Sequence, residues 1–195
     1  GFQGADLSGC NWYRINQPRT ALLRKNLIEC LDDKFPNPLS DVIIWQRQLS
    51  EECFYYKQQY KDCVHIFELD DNIWDVPPHL YDVERFYSGR RMDKLVEFAK
   101  SCRYGVTTNN EMRKLFVEHL GFNKRDVFVI PNYMDFDLIN YGKKSKDGKI
   151  RIAWTADARR ANTDFLPFEL FEKLLGKSPN LELLFFGGIP IDFQG

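Results

Sequence analysis

The stretch Val64-His65-Ile66-Phe67-Glu68-Leu69 runs directly into Asp70-Asp71. A short apolar run that ends abruptly in carboxylates has the pattern of a strand buried in a parallel sheet, delivering polar groups at its carboxyl end. The same pattern recurs on either side. Residues 41–45 (DVIIW) lead into Gln46-Arg47-Gln48, residues 104–107 (YGVT) into Thr108-Asn109, and residues 127–130 (VFVI) into Pro131-Asn132-Tyr133. Phe2-Gln3-Gly4 reads as the tail of a first strand. Between these runs lie stretches of helical period. Residues 18–31 carry Leu22, Leu23, Leu27, Ile28 and Leu31, spaced for one helix face. Residues 50–62 open on Ser50, an N-cap type, with Glu51 and Glu52 in the first turn. Residues 90–101 place Met92, Leu95, Val96 and Ala99 together. Residues 109–120 follow Thr108-Asn109-Asn110-Glu111, a capping-box pattern with Thr108 as the cap, and end before Gly121. Alternation at this spacing predicts right-handed βαβ units and an α/β, Rossmann-like parallel sheet with helices on both faces.

A break follows this run. Residues 141–149 (YGKKSKDGK) lack aliphatics and predict a linker after a first domain over 1–140. The pattern then restarts: strand 150–154 (IRIAW), an amphipathic helix over 165–175, and strand 181–186 (LELLFF) closed by Gly187-Gly188. One strand-helix-strand unit cannot cover both faces of a sheet. The segment 150–195 is therefore expected to be the opening of a second Rossmann-like domain, incomplete in this chain.

Composition narrows the function class. Net charge is −1, which argues against the strongly basic surface of a nucleic-acid-binding domain. No apolar run approaches the roughly 18 residues of a membrane span. The five cysteines are irregularly spaced and form no C-x-x-C pair. That pattern argues against a zinc site or disulfide framework and fits a reducing cytoplasm.

Ligands of such sheets bind beyond the carboxyl ends of the strands, which selects the candidate residues. Gly4, Ser8 and Gly9 allow a close backbone approach to a phosphate, or simply a tight strand-to-helix turn; Tyr13 and Arg14 follow. Arg14 suits an anion or a solvated helix start. Asp70 and Asp71 suit a base, a metal or sugar hydroxyls; alternatively, Asp71 caps the next turn, with Trp74 and Pro77-Pro78 stiffening it. Arg47 and Asn132 also stand at strand ends, and Asn132 serves equally well as a turn residue. In the second segment Thr155, Arg159 and Arg160 precede a helix. This is a credible diphosphate site or a solvated loop. Of the histidines, His65 falls within a strand, His119 at a helix end, and His79 alone is placed near a cleft.

These pieces form an ordered set. Gly9-Cys10-Asn11-Trp12-Tyr13-Arg14-Ile15-Asn16-Gln17-Pro18 resembles the G-x-x-x-Y-R-I-x-x-P opening of bacterial and phage glycosyltransferases of the group-1 (family-4-like) type. Asp41–Arg47 resembles their second strand. Phe67–Pro77 resembles their D-x-D-D-x-x-W-x-x-P segment, with Glu68 in place of its first Asp. Val106–Asn109 resembles V-T-x-S, Val129–Asn132 resembles V-x-P-N, and Ile152–Ala156 resembles the I-x-W-x-G/A start of the donor domain. The resemblance implies a GT-B fold: two Rossmann-like domains, a nucleotide-sugar donor as co-substrate, no resident cofactor and no essential metal. It leaves the acceptor open among a glycan, a small molecule and a modified nucleic acid. It implies Asp70 and Asp71 as catalytic groups toward the acceptor hydroxyl. It implies donor contacts from Gly4, Ser8, Gly9, Tyr13, Arg14, Arg47, Asn132, Thr155, Arg159, Arg160, Gly187 and Gly188. The family's donor-binding E-x7-E segment does not occur in the chain. The rival readings are a non-catalytic binding module of the same fold and a nucleotide-dependent dehydrogenase. The absence of G-x-G-x-x-G counts against the dehydrogenase.

Overall fold

A computed structural model describes residues 2–3, 9–29, 39–47, 50–76, 85, 87–138, 142, 146–155 and 168–186. It divides into two compact units, Gly1–Ile139 and Asn140–Gly195.

The first unit holds a five-stranded sheet. Its strands are β1 (Phe2–Gln3), β2 (Val42–Gln46), β3 (Val64–Glu68), β4 (Tyr104–Thr107) and β5 (Val127–Val129). All pairs are parallel and the spatial order equals the chain order. The register places Ile43, Trp45, His65, Phe67, Gly105, Thr107 and Val127 on one face, and Ile44, Gln46, Ile66, Glu68, Val106 and Phe128 on the other. From β2 to β5 the strands advance in one direction, and right-handed crossovers between them fall on a single face. That face is the core. Helices α3 (Glu51–Gln59), α4 (Arg90–Lys100) and α5 (Asn110–Glu118) cover it with Cys53, Phe54, Leu95, Phe98, Ala99, Met112 and Phe116. Phe98 meets Trp45 and Phe54 edge to face at centroid distances of 5.4 and 5.1 Å.

The fit is closest at Gly105. A Cβ there would stand 2.6 Å from Phe116 Cδ1 and 2.7 Å from Cε1, so only glycine lets α5 lie this close to the sheet. His65 sits in the same layer, as expected for a strand position. It accepts from Trp45 Nε1 at 2.9 Å and donates from Nε2 to the Tyr60 carbonyl at 2.8 Å. Burial lowers its pKa and keeps the ring neutral.

The second face is covered by the N-terminal helical segment: α1 (Gly9–Asn11), a π-helical run Trp12–Asn16, and α2 (Gln17–Arg24). Two expectations are corrected here. Gly9 is the first residue of α1, not a loop position, and Arg14 lies inside the helical segment, not at its start. The helix expected over 18–31 stops at Arg24. Asn26 takes a left-handed φ of 52°, its N–H returns to the Leu23 carbonyl, and the Leu27 N–H returns to Leu22. This is a Schellman closure with Asn at the left-handed position. It leaves Leu27 65% exposed, outside the helical face its spacing suggested.

Two caps also differ. Ser50 has N-cap backbone geometry, but its hydroxyl pairs with Cys53 Sγ at 3.1 Å instead of a backbone N–H. At α5 the cap is Asn109, not Thr108. Asn109 Oδ1 accepts from the Met112 N–H at 2.8 Å, the third helical position, which the Thr108 hydroxyl is one residue too early to serve. Gly121 takes φ +71° after the helix, as its position suggested.

The second unit contains β6 (Ile150–Thr155), α6 (Phe168–Lys177) and β7 (Leu181–Phe186). The strands pair in parallel from Ile150↔Leu181 to Thr155↔Phe186. No helix among the described residues is long and apolar enough to cross a membrane.

Candidate functional site

Two polar clusters lie at the carboxyl end of the first sheet. The first is built on Arg47, the residue after β2. Its φ of 49° is unusual for a non-glycine residue and turns the side chain back over β3. There the guanidinium donates to Asp70 Oδ1 at 2.8 Å and forms a second, shorter contact with Asp71 Oδ2. The Asp70 side chain is 6% exposed and that of Asp71 is 53% exposed, so Asp70 is the buried anchor and Asp71 faces solvent. Cys10 lies against the same group, with Sγ 3.9 Å from Arg47 Nη2. Burial, then hydrogen bonding and repulsion from Asp70, push its thiol up to about 12. Cys10, Asp70 and Asp71 come within metal-ligating reach of one another. In this arrangement, however, the cation between the two carboxylates is Arg47, and Cys10 is held as a neutral thiol.

The second cluster is buried. Arg14 projects from the π-helical run, a geometry that recurs at functional positions in helices. It donates from Nε to Glu68 Oε1 at 2.6 Å, from Nη1 to Asn132 Oδ1 at 3.1 Å, and also to the Ile130 carbonyl. The side chains of both Arg14 and Glu68 are almost wholly buried. Burial raises the Glu68 carboxyl to about 7, against the opposing pull of Arg14. The side chain of Gln46, its neighbour in the register, also acts on the Glu68 carboxyl by hydrogen bonding, pulling its pKa down. Two further ties join the N-terminal helix to the segment after β5. The Asp135 N–H donates to Gln17 Oε1 at 2.7 Å, and Arg24 pairs with Asp135 at 3.1 Å.

Between this helix and the second face of the sheet lies a cavity of about 640 Å3. Tyr13, Pro18, Ala21 and Leu22 line one side, Ile44, Glu68 and Val106 the other, and Ile130, Pro131 and Tyr133 the end.

The sequence-derived candidates fall out as follows. Asp70, Asp71 and Arg47 come together. Arg14 and Asn132 come together too, in a tie internal to the fold. Tyr13 lines the cavity. Gly9 starts α1, and Thr155 closes β6 in the second unit. Thr107, the last residue of β4, is fully buried and donates its hydroxyl to the Leu69 carbonyl at 2.8 Å. Gln46, which the sequence set just beyond the second strand, is the last residue of β2 and is buried. Gly4, Ser8, Gln48, Pro77, Pro78, His79, Arg159, Arg160, Gly187 and Gly188 lie outside the described residues. Sequence reasoning missed the roles of Glu68 and Gln17. The only signal for Glu68 was a charged residue at an inward position of a strand.

No protein-family model matches this chain, and no curated protein matches it either.

Proposed function

We propose that the chain carries the acceptor-side domain of a GT-B-type glycosyltransferase, with a donor-binding unit beginning at residue 150. The observation that carries the reading is Asp71. It is a half-exposed carboxylate at the carboxyl end of a central parallel strand, with Asp70 anchored beneath it and Arg47 fixing both. Ligand chemistry in parallel α/β sheets takes place at that position. The ordered strand-end motifs quoted above support the same class.

In the proposed reaction an acceptor hydroxyl attacks the anomeric carbon of a nucleotide sugar. The new C–O bond forms as the bond to the diphosphate oxygen breaks. The hydroxyl proton passes to Asp71, and the charge building on the departing diphosphate calls for cationic or N–H donor groups beside it. Asp70 and Arg47 act as positioning residues. The acceptor is a glycan, a small molecule or a modified nucleic acid. A reducing cytoplasm is the proposed setting, supported by the free thiols of Cys10, Cys53, Cys63 and Cys102.

A second reading, a non-catalytic binding module, is favoured by one fact: Arg47 already engages both carboxylates. The experiment that separates the two is release of nucleoside diphosphate from a panel of nucleotide sugars, followed chromatographically. Glycosyl transfer or donor hydrolysis by the wild type, lost in Asp71→Asn with an unchanged melting profile, supports the enzyme. Release at equal rates by both proteins removes Asp71 from the mechanism. No release from any donor supports the binding module.

A further inference from the structure

The cavity on the second face of the sheet lies within the range of small-ligand pockets, roughly 300–1,000 Å3. Its walls are chiefly apolar, with Ala21 and Leu22 on the helix side and Ile44 and Val106 on the sheet. Arg14 and Gln17 belong to the same lining, yet they are only 8% and 5% exposed. Each spends only part of its donor capacity. Arg14 uses Nε on Glu68 and Nη1 on Ile130 and Asn132, which leaves Nη2 without an acceptor. Gln17 Oε1 accepts from the Asp135 N–H. That backbone donor fixes which end of the amide is oxygen, so Nε2 is the end left without a partner. Neither nitrogen is among the unpaired atoms sealed inside the protein, so both keep a surface that a ligand can reach. Buried donors are ordinarily satisfied. Two N–H donors left open in one apolar wall are a place for an acceptor from outside the chain. Charge narrows the choice. In the lining Arg24 is paired with Asp135, Arg14 with Glu68, and Lys25 is matched by Asp137. Nε and Nη2 share one edge of the guanidinium fork, so an acceptor taken by Nη2 lies beside the Glu68 carboxyl. An anion there would meet like charge, and a cation offers nothing to N–H donors.

We propose that this cavity binds a neutral carbonyl compound with an apolar body, its oxygen held by the N–H groups of Gln17 Nε2 and Arg14 Nη2. None of the residues known to line the cavity belongs to the Cys10–Arg47–Asp70–Asp71 cluster. The proposal therefore goes beyond glycosyl transfer and stands or falls separately from it.

The test uses methyl-labelled protein and three naphthalene probes observed by nuclear magnetic resonance. Acetylnaphthalene carries the carbonyl, ethylnaphthalene keeps its shape without the oxygen, and naphthoate is the anion. Acetylnaphthalene is expected to move the methyl resonances of Ala21, Leu22, Ile44 and Val106. Ethylnaphthalene is expected to bind on the order of tenfold more weakly, the worth of a hydrogen bond from a charged donor. Naphthoate should also bind more weakly than the ketone. Gln17→Glu keeps the oxygen that accepts from the Asp135 N–H but replaces the open donor with a second acceptor. It should erase the preference for acetylnaphthalene over ethylnaphthalene. If that variant fails to fold, Ala21→Phe takes its place: the ring fills the cavity from the helix side and should abolish acetylnaphthalene binding in a protein that melts normally. The proposal is overturned if acetylnaphthalene leaves those methyls unmoved, or if ethylnaphthalene or naphthoate binds equally well. It is likewise overturned if Gln17→Glu keeps the preference, or if Ala21→Phe binds acetylnaphthalene like the wild type.

Discussion

Removing Arg14 tests the buried pair directly. Arg14→Met keeps most of the side-chain volume and deletes the charge facing Glu68. Truncating one member of a buried ion pair costs about 3–5 kcal/mol, because the partner is left charged in a desolvated site. The structure adds a pH dependence to that figure. Glu68 rises from its ordinary value of 4.5 to about 7. The folded protein thus holds a proton that the unfolded chain has released, and stability falls as pH rises between those values. At about 1.4 kcal/mol per tenfold change in proton affinity, this window is worth about 3 kcal/mol in the wild type. Without Arg14 the carboxyl loses its counter-charge and its pKa moves higher still, so the fall continues to higher pH. Below the wild-type value both folded proteins carry a neutral Glu68, and the variant is short only of the hydrogen bonds from Arg14 to Glu68, Ile130 and Asn132. Urea unfolding followed by tryptophan fluorescence should therefore show a difference between the two proteins that is small at about pH 6 and reaches several kcal/mol at about pH 9. A difference of equal size at both pH values would refute the assignment of Glu68 as the group left stranded.

Other outcomes follow from single contacts. Gly105→Ala places a methyl against the fixed ring of Phe116 and should lower stability by about 1–3 kcal/mol in the same urea assay. Asn109→Ala should cost about 1 kcal/mol through loss of the α5 cap, whereas Thr108→Ala should fall within about 0.5 kcal/mol of wild type. Cys10 and Cys102, both pushed up to about 12 by burial first of all, should resist iodoacetamide in the native protein at mildly alkaline pH. Mass spectrometry would show modification of both only after unfolding.

The strands were legible because each is a run of consecutive apolar residues too short for a helix, and their alternation with helices implied parallel pairing. The end of α2 was not legible. Leu27 and Ile28 continue the helical spacing past Arg24, and nothing local reveals that Asn26 adopts a left-handed conformation. The cluster of Asp70, Asp71 and Arg47 could be anticipated from strand ends alone, since the parallel register brings neighbouring carboxyl ends side by side. Arg14 looked like an anion ligand because its true partner lies 54 residues away. Only the docking of the N-terminal helix on the sheet makes them neighbours. Glu68 was hidden for the same reason, and so was the tie between Gln17 and Asp135.

The chain-order sequence of the strands also has a kinetic side. Each strand from β2 to β5 docks beside the one made just before it, so the sheet can grow from its amino-terminal edge as the polypeptide lengthens, without waiting for any later strand. The N-terminal helix is the exception. Arg14 reaches Asn132 across 118 residues of sequence, and that contact cannot exist until the segment after β5 has been synthesised. The first helical segment to emerge can meet Glu68 once β3 exists, but its ties to Ile130, Asn132 and Asp135 come last. Synthesis halted before residue 130 should leave a formed sheet with one loosely covered face, which is the species a chaperone would meet.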